Sequence, residues 1–143
     1  MKRTIIICTL FPLLFSGCLK KNSGPIHQTL EDVVKIELLA MSDDEETVLY
    51  TLSDDEMDDF WEGLLALRFR RYFNDPDTHP GRYAVRISYK NRYVDVIGMS
   101  LCVYYDPSGE NQSGSKWYYV TDQEAFVQLL YQYIPSNVDT TGN

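Results

Sequence analysis

Two histidines, three cysteines and 21 acidic residues carry what reactive chemistry this chain has. His79 sits in the stretch Asn-Asp-Pro-Asp-Thr-His-Pro-Gly, residues 74–81, with Asp75 and Asp77 nearby. An imidazole oriented by a carboxylate is the base of a nucleophilic hydrolase. One reading therefore sets His79, with Asp75 or Asp77, at a catalytic or small-ligand site. The other leaves it an exposed loop residue. His27 falls in a segment that reads as a linker. There is no Cys-x-x-Cys, no His-Glu-x-x-His and no Gly-rich phosphate loop, so zinc and nucleotide chemistry lack their usual ligand spacings. The acid-dense stretches 43–46 and 54–59 and the loop 106–111 miss the spacing that wraps calcium. They read as a solvated turn, a helix start and a hairpin loop. No pair of acids is singled out for glycoside hydrolysis. The sequence assigns no catalytic residue, no metal ligand and no cofactor.

Charge placement is more informative. Residues 36–67 hold 11 acids and no Lys or Arg. Residues 68–92 hold Arg68, Arg70, Arg71, Arg82, Arg86, Lys90 and Arg92 against two acids. Arg82, Arg86 and Lys90 share one parity of an alternating stretch, opposite Tyr83, Val85, Ile87 and Tyr89. A strand sends those two sets to opposite faces. If helices cover the apolar parity, the cations lie on the open sheet face, and Arg68 and Arg70 extend the patch. Such a face either balances the acidic half or docks an acidic partner, where Arg and Tyr are favoured. A formal charge of −8 and a pI near 4.6 argue against nucleic acid, whose phosphates need a basic footprint.

The N-terminus reads as an address. Lys2 and Arg3 precede an apolar run, residues 4–15, that is interrupted by Pro12. It is too short to span a bilayer, which takes about 20 apolar residues, and it has the form of a secretory signal. Leu14-Phe15-Ser16-Gly17-Cys18 resembles the lipobox of bacterial lipoproteins, with Phe15 where Leu is usual. The resemblance implies a diacylglyceryl group on the sulfur of Cys18 and cleavage between Gly17 and Cys18. The alternative is an ordinary signal cut nearby. Two acyl chains anchor stably where one does not. Loss of Lys2 and Arg3 with the leader takes the formal charge from −8 to −10. Cys8 leaves with the leader and Cys18 carries lipid, so Cys102 alone remains. No intrachain disulfide is then expected. Cys102, in an apolar run, reads as a small buried hydrophobe.

The elements that position these residues follow from period and punctuation. Residues 33–41 and 47–52 alternate as strands around an acidic turn. Ser53-Asp54-Asp55-Glu56 forms a capping box, and Met57, Phe60, Trp61, Leu64 and Leu65 recur at helical spacing. Residues 68–73, 82–90, 92–99, 101–105 and 117–120 supply further strands, with Gly98 marking a bulge. Thr121-Asp122-Gln123-Glu124 reads as a second capping box, and Phe126, Leu129, Leu130, Tyr133 and Ile134 as the face of a second helix ended by Pro135. Residues 50–56 and 118–124 echo each other in type, through an internal repeat or convergence. The expected architecture is α+β: an antiparallel sheet of five to six strands with two helices on one face. Residues 1–17 are the signal, 18–31 the lipidated cysteine and flexible tether, 32–135 the domain, and 136–143 a disordered tail.

From residue 33 to residue 134 the layout is similar to small, functionally uncharacterised lipoproteins of Gram-positive bacteria. They share a lipobox, a short tether, a strand pair, a helix, a tyrosine-rich meander and a Tyr-x-[Val/Ile]-x-Asp helix entry. That likeness implies a class and carries over no catalytic residue. The expectation is a non-enzymatic, extracytoplasmic lipoprotein held to the bilayer through acylated Cys18. It would bind an acidic envelope protein or peptide through Arg68, Arg70, Arg82, Arg86 and Lys90. The alternative is an envelope hydrolase or small-ligand protein using the His79 loop.

Overall fold

The alternating stretches become strands and the two apolar periods become helices in a computed structural model that describes residues 24–42, 45–74, 76, 79–114 and 116–136. A short 3-10 turn, Leu30–Asp32, leads into β1 (Val33–Met41). Then follow β2 (Glu46–Thr51), α1 (Asp54–Ala66), β3 (Phe69–Arg71), β4 (Tyr83–Tyr89), β5 (Val94–Gly98), β6 (Cys102–Tyr105), β7 (Tyr118–Val120) and α2 (Gln123–Tyr131). The strands form one antiparallel sheet in the order β2-β1-β4-β5-β6-β7-β3. The fold is α+β as expected, with seven strands in place of five to six. No helix among the described residues is long and apolar enough to cross a membrane. The lipobox lies outside the described residues, as do Asp75 and Asp77.

Both helices cover the same sheet face. Phe60, Trp61 and Leu64 of α1 and Phe126, Leu129 and Leu130 of α2 are buried against Ile36, Leu38, Val85, Ile87 and Ile97. Burial of side chains this size stabilises by about 1.5–3 kcal/mol each before entropy is counted. Cys102 is buried in the same core, and burial pushes its thiol pKa well up, so it stays protonated. α1 begins at the expected box: the Glu56 carboxylate accepts from Ser53 N at 2.8 Å and Ser53 Oγ at 2.6 Å. α2 does not use Thr121. Asp122 caps it by accepting from Ala125 N at 3.0 Å, because Thr121 N and Oγ1 both donate to Arg68 O. The echo of residues 50–56 in 118–124 is thus one of type, with caps one position apart. Gly98 pairs with Ala84 without a register shift. It is needed for a close approach, since a Cβ there would collide with the carbonyl oxygens of Pro80 and Leu101.

The segment before β1, read as tether, is docked on the fold. Gly24, Pro25 and Ile26 meet Leu65, Leu67, Phe69 and Tyr118 around a 230 Å³ hollow near β3 and β7. Ile26 is buried in the core. Gln28 Nε2 donates to Asn91 Oδ1 at 3.1 Å, Lys90 N to Asp32 O at 2.8 Å, and Lys90 Nζ to Glu31 O at 2.6 Å. The strap therefore runs from the β7–β3 side, past β6 and β5, to the β4–β5 turn before entering β1. It crosses the sheet's thinnest ladder, between β6 and β7, where Cys102 and Tyr118 form the one residue pair.

Candidate binding face

The sheet face away from the helices carries Arg86 of the expected cations, and it differs from a plain charged surface. Leu39, Ala84, Val96, Leu101 and Val103 form a second buried cluster there, flanked by Met41, Tyr72, Val94, Tyr105 and Trp117. Successive residues of β5 divide between the faces: Val94 and Val96 join this cluster, whereas Ile97 joins the helix-side core.

The register then fixes the ion pairs. Arg86 stands opposite Glu37 across the β4–β1 ladder. Its Nε donates to Glu37 Oε2 at 2.8 Å, and its Nη1 pairs with Glu46 of β2. Lys35 Nζ reaches Glu37 Oε1 at 2.9 Å. Burial alone would raise the Glu37 pKa, but the hydrogen bonds from Arg86 and Lys35 outweigh it, and the carboxyl lies below its ordinary 4.5. Arg86 is therefore committed: two cations and two anions cancel on this face. Lys90 is committed to the strap. Arg82 is exposed, its guanidinium carbon 5.5 Å from the Tyr83 ring centroid. Arg68 and Arg70 are exposed on and beside β3, at the far edge from the β1–β2 pair. Arg70 pairs with Tyr119, whose ring lies 4.7 Å from that of Tyr72. The five cations thus do not form one patch. The β3 pair is open, and Arg86 is internal to a salt network.

What the face does present is a cleft of about 430 Å³, within the range of ligand sites. Met41, Val94, Val96 and Tyr105 give it an apolar floor beside Arg86. Glu46 stands on the β2 side, residues 106–109 on the β6 side, and Pro80 and Arg92 at the two ends. Arg92 has φ = 70°. It closes the β4–β5 hairpin, in which Arg92 N donates to Tyr89 O at 2.9 Å and Tyr89 N to Tyr93 O at 3.0 Å. That left-handed position suits Gly or Asn and costs an arginine about 1 kcal/mol. Asp106 faces its own loop, accepting from Ser108 Oγ at 2.6 Å and Ser108 N at 2.9 Å. Those bonds hold its pKa below the usual carboxylate range. Among the described residues Arg92 makes no ion pair or side-chain hydrogen bond, so it is the uncommitted charge of the cleft.

His27 and Asp95 form a second constellation that sequence reasoning missed. Asp95 is fully buried on the helix side. Its Oδ1 lies 2.7 Å from His27 Nδ1, and its Oδ2 accepts from His27 N at 2.9 Å and from Tyr89 Oη at 2.6 Å. The His27 ring stacks on Tyr104 at 3.9 Å, and Tyr104 on Tyr93 at 5.2 Å. Burial, then the Asp95 charge, pushes the Tyr89 pKa far up. A carboxylate that grips both the ring and the backbone N–H of one residue acts as a clamp on the strap. The signal was present: Asp95 occupies the parity of Ile97 in Val-Asp-Val-Ile, and an acid on a core parity must be hydrogen-bonded. His79 is exposed, and its Nδ1 accepts from Gly81 N at 3.2 Å. Among the described residues no group of three or more His, Cys, Asp or Glu could hold a metal ion.

Comparison with protein-family models, curated proteins and solved structures finds no match. The functional reading rests on sequence motifs and geometry.

Proposed function

We propose that this chain is a membrane-anchored, extracytoplasmic lipoprotein whose α+β domain is a binding module for an acidic protein or peptide of the cell envelope. The anchor is the acylated Cys18 implied by Leu14-Phe15-Ser16-Gly17-Cys18. The observation that carries the binding reading is the cleft on the sheet face opposite the helices, with an apolar floor and the uncommitted Arg92 at its rim. Arg68 and Arg70 add exposed cations beside and on β3, beyond β7 from the β6 side of the cleft. Docking occurs on this face, with charge steering the encounter and apolar contact holding it.

Two variants test the two halves of the reading. Cys18→Ala is expected to leave an unprocessed, unlipidated precursor, and normal processing of that variant would remove the anchor. Arg68→Glu/Arg70→Glu is expected to abolish retention of envelope partners that bind wild type at low salt and release at moderate salt. Retention unchanged by the double reversal, with the fold intact by circular dichroism, would remove the face.

A further inference from the structure

We infer that the cleft takes the C-terminal residue of a peptide, its terminal carboxylate on Arg92 and its apolar side chain on Val94 and Val96. This deepens, and rests on, the reading of the open face as a docking surface. The argument begins with which charges are free. Glu46 and Arg86 are paired with each other. Asp106 is turned into its own loop by four hydrogen bonds, from Ser108 Oγ and N, Glu110 N and Gln112 Nε2. Arg92 alone of the charged lining residues is without a partner among the described residues, so an incoming anion meets one guanidinium and no rival carboxylate that is not already occupied. Arginine also matches a carboxylate through two parallel N–H donors.

The spacing suits a chain end. Arg92 and Val94 stand two residues apart, in the turn before β5 and at its start, and both line the cleft. A carboxylate and an apolar side chain borne on one carbon, as at a peptide's C-terminus, can therefore meet both. A volume of about 430 Å³ with four apolar side chains at its base leaves room for a branched side chain with its carboxylate. The backbone agrees with this assignment. An arginine is kept in a left-handed turn position that Gly would fill without strain, and strain of that kind gathers where a side chain is needed.

The test uses the full chain in lipid nanodiscs and methyl NMR of Val94, Val96 and Met41. The probes are Ala-Ala-Leu with a free carboxylate, the same peptide as its C-terminal amide, Ala-Ala-Ser with a free carboxylate, and Ala-Leu-Glu amide. The free-acid leucine peptide is expected to shift the three methyl sets, and the amide to bind about five-fold more weakly, the loss of one exposed ion pair. Ala-Ala-Ser should fall by a similar factor or more. Arg92→Gln should weaken the free acid to the level of the amide and leave the amide unchanged. Val96→Thr should weaken every leucine peptide alike. Equal binding of acid and amide in wild type overturns the inference without needing any variant. Ala-Leu-Glu amide binding as tightly as the free acid overturns the assignment to a terminus. Peptides that shift nothing, while Arg68→Glu/Arg70→Glu still abolishes partner retention, refute this inference and leave the open-face reading standing. Retention indifferent to that double reversal refutes the open-face reading instead.

Discussion

Replacing Asp95 by alanine and by asparagine should give two different answers, and the difference follows from counting hydrogen-bond donors. The carboxylate receives His27 N, His27 Nδ1 and Tyr89 Oη. Alanine leaves all three without an acceptor. The His27 side chain is 33% exposed, so its ring can turn to water. The His27 amide bond is partly buried, and the Tyr89 hydroxyl, whose residue is 3% exposed, needs local opening to reach water. An orphaned buried donor costs about 1–3 kcal/mol and a partly buried one less, so Asp95→Ala should lose about 3 kcal/mol. For a domain of this size that is a fall in Tm of roughly 12 °C. Asparagine with its oxygen at the Oδ2 position keeps two of the three bonds. Its N–H₂ then faces Nδ1 of His27, which accepts in the other neutral tautomer. Every group is satisfied, and the loss is that of charge assistance less the relief of burying no charge, about 1 kcal/mol. Urea unfolding gives both numbers, and hydrogen exchange locates them. The alanine variant should lose protection at residues 26–28 at denaturant concentrations where both helices remain protected. Two results would refute the reasoning: alanine within about 1 kcal/mol of wild type, or asparagine as damaging as alanine.

Three further outcomes are expected. The Glu37 carboxyl is held below 4.5 by Arg86 and Lys35, so its contribution to stability is complete above about pH 4.5 and is lost as pH falls through the lower folded value; the stability gap between wild type and Glu37→Gln should therefore close between about pH 5 and 3 in urea titrations. Gly98→Ala should destabilise by about 2 kcal/mol or more, because the Pro80 and Leu101 carbonyls leave no room for a methyl group; an alanine variant with unchanged urea midpoint would contradict the packing. Arg92→Gly should raise thermal stability by about 1 kcal/mol by relieving the φ = 70° turn, while weakening peptide binding; a stability loss would show that the arginine stabilises the fold.

What was legible in the sequence was local. The Ser53–Glu56 box and the helix faces of Phe60, Leu64, Phe126 and Leu130 are short-range patterns. So is the alternation of β4, which put Arg82, Arg86 and Lys90 on one parity. What was not legible depends on strand order. Arg86 is neutralised because β1 lies between β2 and β4, which brings Glu37 and Glu46, 49 and 40 residues away, against it. Thr121 had the form of a cap, yet a carbonyl 53 residues earlier in the chain took its hydroxyl. The clamp joins His27 and Asp95 across 68 residues, and a histidine shortly after Gly24-Pro25 carries no local mark of docking. In the sequence Arg92 is one cation among seven in residues 68–92, since the turn that brings it to the cleft rim appears only once β4 and β5 pair.

The strap also decides how the sheet holds together. With a single residue pair joining β6 to β7, the backbone ladder is a five-stranded slab and a two-stranded ribbon that barely touch. The strap spans that seam, with Gly24 and Ile26 by the ribbon and His27 and Gln28 by the slab. It serves as a crossbeam, backed by the two helices. Tension applied at the N-terminus would load this beam first, at its ribbon end, before it reached the Asp95 clamp. On the proposed reading of an acylated Cys18, a pull from the membrane would therefore reach this beam before it reached the cleft.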